Sequence, residues 1–164
     1  MKALVAILVG AALFVGCGEA ERPVSSPLAD AEAPSVVVYA DVVAVEVSGE
    51  AGAYQFAVEV SSPDTGCDEY ADWWEVVSED GSELLYRRIL AHSHVDEQPF
   101  VRGGGPVDIE SDAVVVVRAH MNTGGFGGAA LRGSVDGGFE VFTPELRFGA
   151  ALGSVEPLPE GCAF

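Results

Sequence analysis

Apolar and polar side chains alternate between Tyr54 and Ser61, and this alternation constrains the fold more than any other feature of the chain. Successive side chains of an extended strand point to opposite faces, so residues two apart share a face. The apolar members of this set are Tyr54, Phe56, Val58 and Val60. We therefore expect a strand with one face on a core and the other in solvent, as in antiparallel sheets.

Two neighbouring segments also predict strands. Residues 36–47 are rich in Val but change the parity of their apolar positions near Ala40, which predicts either one bulged strand or two shorter strands. Asp80-Gly81 separates the apolar residues around Trp74 from those around Leu85. Because Asp-Gly favours a tight hairpin turn, the two flanking segments are predicted to pair.

The second half of the chain continues this pattern of short strands separated by Gly and Pro turns. A strand is predicted over residues 113–121, and a late pair over residues 139–141 and 146–148. The predicted fold class is all-β, an antiparallel immunoglobulin-like β-sandwich of about seven or eight strands over residues 35–150. A small closed barrel is the alternative. Residues 151–164 form a C-terminal tail.

The first 17 residues, MKALVAILVGAALFVGC, contain one Lys, an apolar run and a final Val-Gly-Cys. The run is too short to cross a hydrocarbon core of about 30 Å, which predicts a cleaved export signal. The pattern resembles a bacterial lipoprotein signal, in which residues 1–16 are removed and Cys17 is lipidated. Residues 17–34 then form a flexible tether. Plain secretion after cleavage at Gly18-Glu19-Ala20 is the alternative.

A lipid anchor would place the chain in the bacterial cell envelope. Each buried CH₂ group contributes ~0.8 kcal/mol, so the several acyl chains of a lipoprotein hold it to a membrane. Gly18, where other signals carry Asp, resembles sorting to an outer membrane. The domain would then face the periplasm or the cell surface.

Acidic residues dominate the predicted mature chain. Lys2 is the only Lys, and removal of the signal leaves seven Arg against 26 Asp and Glu, a formal charge of −19. Phosphate repels such a polyanion, which excludes nucleic acid as a partner. The alternative is that the charge serves solubility alone.

The three cysteines divide between two roles. With Cys17 assigned to lipid, Cys67 and Cys162 remain. Two thiols outside the cytoplasm usually pair, so we predict a disulfide that ties the tail to the loop before Trp73. A reactive or metal-bound thiol is the alternative, although the close Cys-x-x-Cys spacing is absent.

The histidines are the candidate metal ligands. If the strand that begins at Leu84 is continuous, His92 and His94 project from one face, about 7 Å apart. His120 lies at the end of another predicted strand. With Glu97, these imidazoles would suit Zn²⁺ or Cu²⁺, which accept nitrogen and oxygen ligands. The alternative is that the histidines and Glu97 are structural and hydrogen-bond loop backbone.

Two other features resemble ligand sites without matching one. Four carboxylates lie between Asp64 and Asp72, but their spacing differs from the twelve-residue calcium loop, which favours a solvated acidic loop. Glycine runs at residues 103–105 and 124–128 lack the Lys of a phosphate-binding loop. They are predicted to be hinges or tight turns.

Several sequence blocks occur in a fixed order between residues 66 and 128. They are YADWWEV at residues 70–76, Asp80-Gly81, RIL at 88–90, HSHVDEQPFVR at 92–102, RAH at 118–120 and Gly127-Gly128. This order resembles an uncharacterised family of small exported bacterial proteins. The resemblance implies a shared fold and a shared site around the histidine stretch, and no particular reaction.

Two functions are therefore predicted. In the first, the chain is a membrane-anchored, noncatalytic binding module whose loops contact an envelope protein, a peptide or a glycan. The candidate contact residues are Trp73, Asp96, Arg102 and Asn122. In the second, the chain binds Zn or Cu through its histidines. Catalysis is the weakest candidate, because Ser93 lacks a nucleophile elbow.

Overall fold

Eight β-strands and one short 3₁₀ helix make up the described part of the chain. The structure is a computed structural model and describes residues 37–163. The strands are β1 (Asp41–Ser48), β2 (Tyr54–Ser61), β3 (Ala71–Ser78), β4 (Leu84–Ile89), β5 (Phe100–Val107), β6 (Val115–Met121), β7 (Ala130–Ser134) and β8 (Gly138–Phe142), and the 3₁₀ helix is η1 (Ala150–Ser154). Cys17 and the tether at residues 17–34 lie outside the described residues. None of the helices between residues 37 and 163 has the length and apolar character that a membrane span requires.

The strands form two antiparallel sheets, one in the order β1-β2-β5 and the other in the order β4-β3-β6-β7-β8. The chain changes sheet between β2 and β3, again between β4 and β5, and again between β5 and β6. The two sheets pack face to face, as in immunoglobulin-like sandwiches. The predicted fold class is confirmed.

The inner faces of both sheets supply the main core. Burial alternates along β2 as predicted, and the apolar residues of β6 that share one parity are also buried. The largest contributors are Phe56, Val58, Val60, Trp74, Val76, Val117 and Met121. The predicted hairpin is confirmed as well, because β3 pairs with β4 across a turn in which Gly81 has a φ of 72°.

The outer face of the five-stranded sheet is buried over its central strands β3 and β6, which the sequence did not predict. Seven of the eight residues of β3 are buried, so neither of its faces meets solvent. The segment at residues 143–163, which includes η1, covers this face, and we call it the strap. Leu152 of the strap packs in a second apolar cluster with Val77, Val116 and Ala130.

Several predicted boundaries are wrong. Of the two alternatives for residues 36–47, the bulged strand is observed, but its bulge lies between Val42 and Ala44 rather than near Ala40, and it turns Val43 outward. β8 pairs with β7 and not with residues 146–148, which form no strand. Residues 103–105 lie within β5 and are not a hinge.

The glycine loop at residues 124–128 is a contact surface for the start of the described chain. A Cβ atom on Gly124 or Gly128 would lie less than 3.0 Å from the carbonyl oxygens of Val38 and Ala40, and one on Gly127 would strike the ring of Tyr39. The backbone of Val42 also donates to the carbonyl of Ala129. These glycines therefore let residues 38–40 lie directly against the β6–β7 loop.

Replacement of Gly128 by Ala should test this close approach. We expect Gly128→Ala to lower the free energy of unfolding by about 1–3 kcal/mol, since the methyl group must displace the backbone of Ala40. The control is Gly103→Ala, whose methyl group would meet no atom closer than 3.9 Å, and we expect a change within about 0.5 kcal/mol. Urea denaturation followed by Trp fluorescence measures both. Equal effects of the two substitutions would contradict the packing described.

Candidate functional site

The β2–β3, β4–β5 and β6–β7 loops meet at one end of the sandwich, and a buried carboxylate fastens the first two of them together. Asp64 accepts hydrogen bonds from the Ser62 hydroxyl at 2.6 Å and the Ala71 amide at 2.9 Å. Its second oxygen accepts the His94 amide at 2.8 Å. The prediction of a solvated acidic loop is therefore wrong for Asp64 and for Asp72, which are both buried.

Hydrogen bonds to the backbone of His94 hold the loop that carries His92 and His94 in place. β4 ends at Ile89, so the predicted strand continuation through the histidines is wrong. Gln98 donates to the carbonyl of His94 at 3.1 Å and accepts the amide of Ser62 at 2.8 Å. The loop between β4 and β5 is thus fastened to the loop that follows β2.

The His94 ring is packed as an apolar group. It is 2% exposed and stacks on Phe100 with ring centroids 3.8 Å apart, and neither ring nitrogen has a hydrogen-bond partner among the described residues. Burial lowers the pKa of His94, and the charges of Arg102 and His92 lower it further. Asp64, 3.9 Å from Nδ1, and Glu97 act in the opposite direction. His94 is therefore held in its neutral form.

The predicted metal ligands do not form a ligand set. The rings of His92 and His94 do lie together, with centroids 4.5 Å apart. His120 instead contacts Asp72, and Glu97 pairs with Arg102 at 2.6 Å. Within residues 37–163, no group of three or more His, Cys, Asp or Glu side chains is placed to hold a metal ion.

Trp73 and His120 face the strap side of the five-stranded sheet. β3 and β6 place them opposite each other, and their rings stack with centroids 3.6 Å apart. His120 Nδ1 lies 2.6 Å from a carboxylate oxygen of Asp72. Trp73 is 3% exposed, so its prediction as an exposed contact residue is wrong: the Arg87 guanidinium lies over its ring, 4.6 Å from the centroid.

Next to this stack, one carboxylate bridges two guanidinium groups. Arg87 donates from Nε and Nη2 to Glu75 Oε2, and Arg118 donates from Nε to Oε1 at 2.8 Å. All three side chains are buried. The pairing across β4, β3 and β6 puts them side by side, because Glu75 is in register with Arg87 on one side and Arg118 on the other.

Carbonyl oxygens of the strap complete this cluster, which we call the arginine cluster (Glu75, Arg87 and Arg118). Arg87 donates to the carbonyls of Leu152, Val155 and Pro157. Arg118 donates to those of Phe148 and Gly149. Hydrogen bonds to buried charged groups are among the strongest in proteins, so the strap and the arginine cluster hold each other in place.

The remaining predicted residues have structural contacts or lie on the surface. Asn122 accepts the Tyr70 amide and donates to the carbonyl of Asp68, which fixes the loop that carries Cys67. Cys67 and Cys162 form the predicted disulfide, with Cα atoms 5.5 Å apart. Asp96 is exposed, and its role as a contact residue stays a prediction.

A cleft of about 200 Å³ lies beside the arginine cluster, and the sequence did not predict it. Its walls include Tyr39, Phe126, Leu146 and Phe148, and Arg118 and Glu145 also line it. Leu146 is 82% exposed, which is unusual for a large aliphatic side chain. Arg118, a charged residue inside a run of valines, is the feature of the sequence that could have pointed to it.

No family model matches the chain, and no solved structure matches it. A protein of Halomicrobium mukohataei named "Putative lipoprotein" is 41% identical over 93 residues, which are 56% of this chain and 45% of that protein. The chain thus spans about half the length of the curated relative that it matches.

Neutralisation of Glu75 should separate the buried cluster from ordinary surface charge. Glu75→Gln leaves two buried guanidinium groups without a counter-charge, and we expect a loss of about 3–5 kcal/mol in the free energy of unfolding. Glu79→Gln removes the exposed partner of Arg132, and we expect a loss below about 1 kcal/mol. Urea denaturation measures both. A loss at Glu75 no larger than at Glu79 would show that the cluster contributes little.

The buried neutral His94 should make stability depend on pH. Its folded pKa lies below the ordinary 6.5, so the unfolded chain binds the proton more readily and stability falls as the pH drops from about 7 to 5. We expect His94→Phe to flatten this part of the profile and to change stability at pH 7.5 by less than about 1 kcal/mol.

Arg102→Gln is the companion variant, because it removes one cause of the lowered pKa of His94 and should flatten the profile only in part. The measurement is the urea midpoint at half-unit pH steps. A His94→Phe profile parallel to that of the parent would assign the pH dependence to other groups.

Proposed function

We propose that the chain is a lipid-anchored protein of the cell envelope whose β-sandwich serves as a noncatalytic binding module. Two features support the anchor: the signal-like residues 1–17 with Cys17, and the 41% identity to a protein named "Putative lipoprotein". Sorting to an outer membrane rests on Gly18 alone and stays a prediction.

The cleft beside the arginine cluster is the observation that carries the binding role. Ligand sites are concave, mostly apolar and supplied with a few polar groups, and this cleft combines aromatic walls with one guanidinium. It has room for one side chain or one small ring, since sites for drug-sized ligands span about 300–1,000 Å³. A single apolar group of an envelope protein, peptide or other molecule would fill it.

The contacts of the loop that carries His92 and His94 support a structural role for this loop. His94 is sealed against Phe100, and Asp64 and Gln98 hold the loop through its backbone. Glu97 and Arg102 form an exposed ion pair, which contributes little to stability and is free to exchange partners. We therefore assign recognition to the cleft rather than to the histidines.

The anchor has a direct test in cells. We expect the parent chain to fractionate with membranes and to enter the detergent phase of Triton X-114, whereas Cys17→Ser should remain an unprocessed precursor without lipid. Gly18→Ala keeps the thiol and is the control. Normal cleavage of Cys17→Ser, with release of a soluble protein, would favour plain secretion instead.

The binding role is tested with the unlipidated chain that starts at Gly18. A library of small aromatic and aliphatic fragments, screened by ¹⁵N chemical-shift changes, should perturb Phe126, Gly127 and Leu146 before other residues. Leu146→Asp should abolish these shifts, while the exposed Val141→Asp on β8 should leave them unchanged. Fragments that bind elsewhere, or none that bind, would refute the assignment to the cleft.

A further inference from the structure

The arginine cluster carries an unbalanced charge. The ion pairs that Arg87 and Arg118 make in the described part of the chain all go to Glu75. Two guanidinium groups and one carboxylate leave a net charge of +1, because arginine stays protonated in proteins. The strap supplies carbonyl dipoles to this cluster, and none of its described carboxylates forms an ion pair with Arg87 or Arg118. A buried charge without a counter-charge is costly, so the cluster favours an additional anion.

Arg118 connects this excess charge to the cleft. Its side chain is 3% exposed, yet it lines the cleft. A guanidinium has five N–H donors, and among the described residues Arg118 uses Nε and one Nη2 hydrogen on Glu75, the other Nη2 hydrogen on Gly149, and one Nη1 hydrogen on Phe148. One Nη1 hydrogen therefore has no acceptor among the described residues, and Arg118 lines the cleft.

The lowered pKa of Arg118 is consistent with a guanidinium whose charge is only partly balanced by Glu75. Burial lowers the pKa of Arg118 and the neighbouring Arg87 lowers it further, while Glu75 acts in the opposite direction. An anion in the cleft would act in the same sense as Glu75.

The apolar walls of the cleft indicate that the bound anion also carries an apolar group. Phe126 lies under the Arg118 guanidinium at 3.6 Å, and Tyr39, Phe148 and the exposed Leu146 add apolar surface. The protein surface is otherwise strongly acidic, so multiply charged anions such as phosphate are repelled. A single negative charge next to an apolar group fits both conditions.

We propose that the cleft binds a monocarboxylate that bears an apolar or aromatic group, with the carboxylate on Arg118 and the apolar group between Tyr39, Phe126 and Leu146. The inference rests on the proposed binding function and names its ligand class. The free C-terminus of a polypeptide and a small organic acid share this chemistry. Glu145, on the wall of the cleft, opposes the ligand charge and limits the affinity.

The test compares probes of one shape and different charge on the unlipidated chain. N-acetylphenylalanine represents a polypeptide C-terminus, 3-phenylpropionate represents a small organic acid, N-acetylphenylalaninamide is the neutral match, and phenethylamine is the cation. We expect either carboxylate to bind at least tenfold more tightly than the amide, with shifts at Phe126 and Leu146. Whichever carboxylate binds more tightly identifies the source. Equal binding of the amide, or tighter binding of the amine, would overturn the inference.

Two exposed variants sharpen the result without altering the fold. Glu145→Gln removes a repelling charge and should raise the affinity for the carboxylates severalfold. Glu110→Gln, in the β5–β6 loop at the opposite end of the sandwich, should leave the affinity unchanged. A lower affinity in Glu145→Gln would mean that the cleft prefers cations and would refute the proposal.

Arg118→Lys keeps the positive charge but loses the planar guanidinium, so a folded Arg118→Lys variant should bind carboxylates more weakly. If this variant does not fold, Glu145→Gln still tests the proposal.

Failure of the ligand class and failure of the binding function are distinguishable. If neutral or cationic fragments fill the cleft and carboxylates do not, only the ligand class is wrong. If no probe and no library fragment shifts the cleft residues, both are wrong.

Discussion

The bridge that Glu75 forms between Arg87 and Arg118 is the interaction on which the rest of this structure depends. It occupies the outer face of a sheet, where charged side chains would ordinarily meet water. Here that face is covered, and the carbonyl oxygens of the strap replace the water that the guanidinium groups have lost. The strap has no strand of its own, so it stays in place through these hydrogen bonds, the burial of Leu152 and the disulfide at residues 67 and 162. By the chain-entropy model, a bridge that closes a span of 95 residues contributes up to about 4–5 kcal/mol.

Aromatic rings extend this cluster into a closed circuit of contacts. The Arg87 guanidinium lies over Trp73, and Trp73 stacks on His120. His120 and Phe126 make a T-shaped contact, and the Arg118 guanidinium lies over Phe126 and pairs with Glu75. Since each member touches two others, the loss of one would loosen the whole set, and single contributions in such networks do not add. The cleft wall at Tyr39 comes from the start of the described chain, next to the glycine loop that holds residues 38–40.

Much of the fold followed from local patterns. The alternation in β2 and the Asp80-Gly81 turn were predictable because strand parity and turn chemistry depend on neighbouring residues. The disulfide was predictable because, with Cys17 assigned to lipid, an exported chain has two cysteines left to pair. The late strands were harder to predict: β7 is short and polar at its end, so its pairing with β8 was missed and residues 146–148 took its place. The histidines looked like a ligand set because they are few and lie near strand ends, yet proximity in a β fold depends on loop paths. Asp64 sets one of these paths, and it fastens the histidine loop through backbone amides that no motif records.

What the sequence by itself determined was the class of the fold, the parity of its main strands, the acidic composition and the pairing of Cys67 with Cys162, since each depends on residue type, spacing or number alone. Parity assigns a side chain to one face of a sheet, but it does not say what covers that face. Only the tertiary structure decided that Trp73 is buried, that Glu75 and Arg118 form an internal ion cluster, and that a cleft opens beside them. The physical reason is that the strap reaches across the sheet from the far end of the chain, and a contact between residues so distant in sequence leaves no periodic trace.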